Sequence, residues 1–340
     1  MNATPSEIKV WHAPAAADVG ETYLDFFRRL EGPTWITVPG RDNSRRRAIV
    51  TLLHGNEPSG LKAIHHILAS GVVPETNLGI LIASVNAASK PPVFSHRFLP
   101  GEEDLNRCFR PPFTSSQRKL ARSILVLLRD FRPEAVIDTH NTSGHSKSFA
   151  VATGDSLHTL QLAQMFTRRL VVMDLKLGTL IEQAAEDFPV VTVEFGGFMD
   201  PRADQLARDT LEAFVVRHDL FSAEVSPMQV LRHPHRLEID HTAALHYSAS
   251  VQNEADITFF NTIDQMNFSR VEKGTTLGWH GAGGISALRI KSAEGEDLLS
   301  DYFAAQDGFI VTSQNVTLFM ATTDPFIARE DCLLYVTPAD

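Results

Sequence analysis

The sequence predicts an α/β protein: a mixed, mostly parallel central sheet with helices on both faces, followed by a smaller β-rich domain. Three observations predict it. Between residues 47 and 218, short runs of Val, Ile and Leu alternate with amphipathic stretches, the pattern of strands joined to parallel neighbours through helices. After residue 222 this alternation gives way to short β-type runs divided by glycine and polar turns. Finally, polar residues able to do chemistry fall at the carboxyl ends of the first region's strands, where open α/β sheets form their sites.

In chain order, the first 46 residues are expected to add an edge strand and a helix around 23–30. Strands follow at 48–53, 78–85, 135–139, 149–152 and 190–195, each rich in residues that suit a buried sheet. Helices are expected at 61–68, 117–131, 157–170 and 201–218; in the last, Asp200 can cap the first turn and Pro201 fits its start. Residues 91–113 form a long Pro-rich loop, and loops of that length are often functional. His233-Pro234-His235 breaks the helical pattern. Beyond it β-type runs stand at 244–248, 257–260, 286–290, 308–311 and 317–320. The expected division is 1–221 and 222–340, the first part carrying the chemistry.

With 340 residues, 43% apolar and 21% charged, the chain has the make-up of a globular protein long enough for a large domain and a smaller one. A net charge of −10 argues against a nucleic-acid partner, which normally meets a basic face. The basic run Arg45-Arg46-Arg47 abuts a strand start and reads as a solvated loop. Cys108 and Cys332 are the only cysteines; they make no disulfide framework and suit a reducing cytoplasm. Residues 1–10 hold no apolar core of a secretory signal, and no apolar run approaches the ~20 residues that span a bilayer. The expectation is a cytoplasmic protein without a membrane partner.

Three strand ends carry the candidate chemistry. His54-Gly55-Asn56-Glu57 follows the first apolar strand and precedes a helix, so that one turn offers an imidazole and a carboxylate to a single metal ion. Taken alone, this pair is also what a turn histidine beside a helix N-terminal glutamate looks like. Asp138-Thr139-His140-Asn141-Thr142 ends another strand and offers a third ligand in His140; Asp138 reads equally as an acceptor that orients this imidazole or as a polar residue ending a strand. Glu194 ends a third strand, immediately before Gly196-Gly197. Two histidines and a glutamate suit zinc, which polarises a carbonyl and acidifies water; a separate carboxylate must then move the water's proton, and Glu194 suits that task. In the long loop, Arg97 and Arg107 suit an anionic substrate, since arginine grips carboxylates with two prongs, although composition alone favours a surface salt bridge for either. No G-x-S-x-G elbow or phosphate-cradling glycine loop is present. His65, His66, His233 and His235 read as structural, and His145 as a solvated loop residue.

Four motifs in order carry a resemblance: His54-Gly-Asn-Glu57, Asp104-Leu-Asn106-Arg107-x-Phe109, Asp138-Thr-His140-Asn-Thr142 and Val193-Glu194. Together they resemble the succinylglutamate desuccinylase/aspartoacylase family, zinc-dependent deacylases of the carboxypeptidase A clan. The likeness runs over residues 47–218 and continues through Asn267-Phe268 and Glu272-Lys273-Gly274-Thr275 in the second part. The resemblance implies a zinc carboxypeptidase-like catalytic domain and one zinc ion per chain on His54, Glu57 and His140. It also implies Glu194 as the catalytic base, aided by Arg97, and substrate contacts from Asn106, Arg107 and Arg97. A homo-oligomer is a further family-level expectation.

One departure bears on substrate. Roughly ten residues before the glutamate, where the family has a substrate-binding arginine, this chain has the acidic Glu182-Gln183-Ala184-Ala185-Glu186-Asp187. An acid there would repel a substrate carboxylate, which leaves a substrate that lacks one at that position or carries an amine. The leading expectation is therefore a deacylase acting on a small N-acylated amino acid or amine. A carboxypeptidase-like metallopeptidase and a non-catalytic binding protein on the same scaffold are the alternatives.

Overall fold

A computed structural model describes residues 8–198, 200–292 and 295–339; residues 1–7 of the stretch read for a leader lie outside them. The chain divides into two compact units, Met1–Asn141 with Ser148–Val230, and Thr142–Lys147 with Leu231–Asp340. The division falls after Val230 rather than at 221/222, because the chain returns to the large sheet before leaving it.

The first unit is built on nine strands: β1 Lys9–His12, β2 Thr34–Val38, β3 Asp42–Thr51, β4 Thr76–Ile82, β5 Ala135–Thr142, β6 Phe149–Ala152, β7 Arg169–Val172, β8 Val190–Gly197 and β9 Gln229–Arg232. Their spatial order is β1-β2-β4-β3-β5-β8-β6-β7-β9. Strand β3 runs parallel to β4 and β5, while β2 meets β4 and β6 meets β8 in antiparallel fashion, so the sheet is mixed as expected.

Side-chain alternation divides the core between two faces. Ile49, Ile80, Ile82 and Ile137 share one cluster with Leu61, Ile64 and Ile67 of the helix Ser59–Ser70 and with Leu211 and Phe214 of the helix Pro201–Val216. Their neighbours Ala48, Val50, Leu81 and Val136 are equally buried but turn the other way. Trp35 of β2 meets Phe131, at the end of the helix Ser116–Phe131, edge to face. Each such Ile or Leu contributes roughly 1.5–3 kcal/mol by leaving water, so burial rather than helix propensity fixes the layers. The long helices begin as the sequence dictates: Ser115 accepts from the Arg118 N–H and Asp200 from the Arg202 N–H.

Three expectations need correction. The helix expected over 157–170 stops at Ala163, and the apolar run beyond it becomes β7, where Leu170 and Val171 are fully buried beside β6. The first 46 residues give two strands, β1 and β2, around the helices Ala16–Val19 and Tyr23–Arg28, and the start of β3. The run Arg45-Arg46-Arg47 is strand rather than solvated loop. Arg47 is fully buried, its Nε donating to Glu134 and its Nη1 to the carbonyls of Phe214 and Arg217.

The second unit has two five-stranded sheets. One orders Ser269–Val271, Val316–Phe319, Leu334–Pro338, His235–Ile239 and Leu288–Arg289; the other orders Leu245–Ser248, Ile257–Phe260, Thr276–His280, Phe309–Thr312 and Phe303–Gln306. Leu237, Ile257, Phe259, Leu277, Ile310 and Leu334 form its core. Among the described residues, no helix is long and apolar enough to cross a membrane. Both cysteines are buried and neither forms a disulfide.

Candidate active site

The turn after β3 is shaped by its backbone. Leu52, fully buried, adopts a left-handed conformation with φ 54°, costly by about 1–3 kcal/mol for a residue with a side chain. Bonds hold it there: its carbonyl accepts the Ser84 N–H at 2.7 Å, and the Leu53 carbonyl accepts the Ser84 hydroxyl. At Gly55 a Cβ would lie 2.6 Å from both Ala88 N and the His96 carbonyl, so only glycine fits. Its N–H donates to the Arg97 carbonyl at 2.9 Å, which ties the long loop to the turn. Glu57 closes the turn, donating its N–H to the His54 carbonyl just before the helix Ser59–Ser70.

The other side chains come from strand ends. Asp138 and His140 stand two apart on β5, and Glu194 lies on β8, the next strand in the sheet. His54 Nδ1 meets Glu57 Oε1 at 2.8 Å, and His140 Nδ1 meets Glu57 Oε2 at 2.7 Å. The two rings sit edge to face with centroids 4.9 Å apart. The far nitrogens face acids: His54 Nε2 lies 3.0 Å from Asp104 Oδ1, and His140 Nε2 lies 3.1 Å from Asp138 Oδ2. Asp138 also accepts from the Thr192 hydroxyl at 2.8 Å. Arg97 reaches both groups, its guanidinium 3.0 Å from Asp104 and 3.5 Å from Glu57.

The electrostatics follow from burial. It would raise the Glu57 carboxyl, but the His54 and His140 charges outweigh it and hold the group well below the usual carboxylate range. It would lower His140, but Asp138 and Glu57 carry that imidazole well above its ordinary value. His54 is likewise lowered by burial and by Arg97, yet Asp104 and Glu57 raise it overall. Glu194 differs. It is 7% exposed, its Oε2 has no hydrogen-bond partner, and burial pushes its carboxyl up to about 7 against the pull of His140.

A divalent cation fits this donor set. One atom from each of His54, Glu57 and His140 lies within 4.8 Å of the other two, the only such triad among the described residues. Asp104 and Asp138 each take a ring N–H at Nε2, which leaves both Nδ1 atoms for the ion; carboxylate-backed imidazoles of this kind are typical of metal sites. Without a cation, protons on both Nδ1 atoms must fill the role.

The loop residues are brought to the same place with different tasks. Asp104 accepts from the Asn106 N–H and faces His54 and Arg97 at once. The Asn106 side-chain oxygen accepts from the Leu180 N–H at 3.0 Å, and Arg107 donates to the Asn106 carbonyl. Two acids of the acidic stretch are engaged by neighbours. Glu182 is buried and accepts from the N–H groups of Leu177, Gly178 and Thr179, while Asp187 pairs with Arg129. Glu182 thus turns its carboxylate onto its own turn.

Two site residues were not assigned roles from the sequence. Asp104 backs His54 across a separation of 50 residues, which no local pattern signals. Its one clue is the parallel with Asp138 beside His140. Asn141 is buried next to His140; its N–H donates to Glu57 Oε2, its Oδ1 accepts from the Ser59 N–H, and its Nδ2 donates to Ser59 Oγ and to the Gly196 carbonyl. It thus ties β5, the helix Ser59–Ser70 and the end of β8 together. His145 is exposed, and His65 packs on Phe26 and meets the Gly20 carbonyl, as structural readings require.

Comparison with known proteins places this arrangement. A family model described as the succinylglutamate desuccinylase/aspartoacylase catalytic domain matches residues 43–217. Among solved structures, the chain resembles the product-bound ectoine utilization protein EutE from Ruegeria pomeroyi at TM-score 0.54 and 16% identity, over 90% of this chain and 88% of that one. It resembles murine aminoacylase 3 at TM-score 0.54 and 14% identity, over 87% and 96%. A succinylglutamate desuccinylase/aspartoacylase from Rhodobacter sphaeroides matches at TM-score 0.54 and 13% identity, over 85% and 83%. No curated protein sequence matches the chain.

Proposed function

Because the chain belongs to the succinylglutamate desuccinylase/aspartoacylase family, we propose that it is a zinc-dependent hydrolase that cleaves the amide bond of a small N-acylated amino acid or amine. One observation carries this reading. Two carboxylate-backed histidines and Glu57 converge on one point, with a buried, unpartnered carboxyl of Glu194 on the neighbouring strand. His54, Glu57 and His140 hold one zinc ion per chain. When bound, zinc polarises the amide carbonyl and makes water a competent nucleophile near neutral pH. Glu194 takes a proton from the attacking water as the C–O bond forms. It then returns that proton to the nitrogen as the C–N bond breaks, so that acid and amine leave in balance. Arg97 faces the charge that develops on the carbonyl oxygen. Asn106 and Arg107 contact the substrate's carboxylate, with the Asn106 oxygen also fixing the loop at Leu180.

With Glu182 tied into its own turn, anionic substrates stay in scope, and the screen must include them. The test combines metal analysis with turnover. Zinc is expected at one per chain, falling to a small fraction in Glu57→Ala. Zinc-loaded protein is expected to release amine from at least one member of a panel of N-acetyl, N-formyl and N-succinyl amino acids and diamines. Metal content far below one per chain would overturn the zinc assignment. Cleavage of short peptides alone would reassign the protein as a metallopeptidase.

A further inference from the structure

The chain leaves the first unit directly after Asn141, the residue next to His140, and rejoins it at Ser148. The six residues between, Thr142–Lys147, group with the second unit and are bonded to it through Asp264 and Asn267. The Thr142 hydroxyl donates to the Gly144 carbonyl at 2.8 Å and closes the turn. Asp264 accepts the His145 N–H at 2.9 Å. At Gly144 a Cβ would lie 2.6 Å from the Ala321 carbonyl and 3.0 Å from the Asp264 Cβ, so the backbone packs too closely there for any side chain.

Asn267 is the centre of this arrangement. Its side chain is buried, and its Nδ2 donates to the His145 carbonyl at 2.8 Å and to the Ala321 carbonyl at 3.1 Å. Its Oδ1 accepts the Ala321 N–H at 2.8 Å. A buried primary amide that makes three directed bonds to two separate backbone segments holds a geometry that no apolar group can hold. A loop that only had to return the chain to the sheet would not need such a fixture. A loop that starts two residues after His140 has a use for it, because slack there would be passed to the backbone that carries the imidazole.

We propose that Asn267 is a positioning residue for the metal centre: by fixing Thr142–Lys147 it fixes the backbone that carries His140. This rests on the reading of His140 as a metal ligand, and the test separates the two. In the full-length zinc-loaded protein, Asn267→Ala is expected to speed zinc transfer to a chromogenic chelator about tenfold, the scale on which partners beyond the ligands act. It should also change the visible spectrum of the cobalt(II)-loaded form. Asn267→Asp, which turns the donating amide into a second acceptor against two carbonyls, should do at least as much. Asp264→Asn, which keeps an acceptor for the His145 N–H, should stay within about twofold of wild type. Leu277→Ala controls for general loosening: it opens the core of the same unit without touching the segment, and should lower the melting temperature while leaving zinc transfer unchanged. Should Asn267→Ala not fold, Asp264→Ala removes a single bond and carries the same expectation in weaker form. Zinc transfer at the wild-type rate in the Asn267 variants, or an equal acceleration in Leu277→Ala, overturns the proposal while leaving His140 as a ligand. A wild-type protein that binds no zinc overturns both.

Discussion

Replacing Glu194 by glutamine is expected to lower kcat by about 10²–10⁴-fold, the usual contribution of a positioned general base, while zinc content stays at the wild-type level. The substitution keeps shape and burial and removes only the ability to hold a proton in transit. The Glu194 Oε2 is buried without a partner, whereas Glu57, Asp104 and Asp138 each face a histidine. Its environment also sets a pH dependence with a definite sign. Burial raises the carboxyl to about 7 in the absence of a metal, and a neighbouring dication must pull it down again by favouring the ionised form. The base works only when ionised, so kcat/KM should fall as pH drops through an apparent pKa below 7, and the zinc-loaded enzyme should show no such limb above it. An acidic limb at pH 8, or a Glu194→Gln variant with wild-type turnover, would remove Glu194 from the mechanism.

How much of this was legible in the sequence depends on how local each cause is. His54, Glu57, His140 and Glu194 sit at the ends of apolar runs whose strand character is written in a few adjacent residues, and the sheet gathers those ends because β3, β5 and β8 are neighbours. The helix capped by Asp200 begins where expected, at Pro201. What escaped was set by partners far along the chain. Asp104 finds His54 only once the long loop folds back and Gly55 takes the Arg97 carbonyl. The charge of Glu182 reads as a repulsive surface until the turn 177–179 is seen to turn its N–H groups onto it. The apolar residues after Ala163 fit a longer helix by composition, and only the vacancy beside β6 makes them a strand.

The buried arginine of β3 shows the same limit with the largest consequence for stability. Arg47→Met is expected to lower the unfolding free energy of the protein by about 3–5 kcal/mol, the scale for breaking a buried charged network by removing one partner. Arg47 lies in the middle of β3 and reaches the end of a helix. The helix Pro201–Val216 leaves its last carbonyls without partners of their own, and Arg47 takes those of Phe214 and Arg217 at 2.7 and 2.6 Å and that of His218 at 3.2 Å. Its positive charge also complements the negative end of the helix. Glu134 balances it at 2.7 Å, and the guanidinium carbon lies 5.7 Å from the Phe214 ring centroid. Methionine would fill the volume and leave the carbonyls buried and unpaired. Arg45 is the internal control: it pairs with the same Glu134, but its side chain is 30% exposed, and Arg45→Met should cost no more than about 1 kcal/mol. Arg47→Lys should fall between them, since an ammonium keeps the charge but cannot span a carboxylate and several carbonyls with one rigid fork. Urea midpoints for the three variants decide the matter: equal losses for Arg47→Met and Arg45→Met would mean that burial at this position contributes nothing beyond an ordinary surface ion pair.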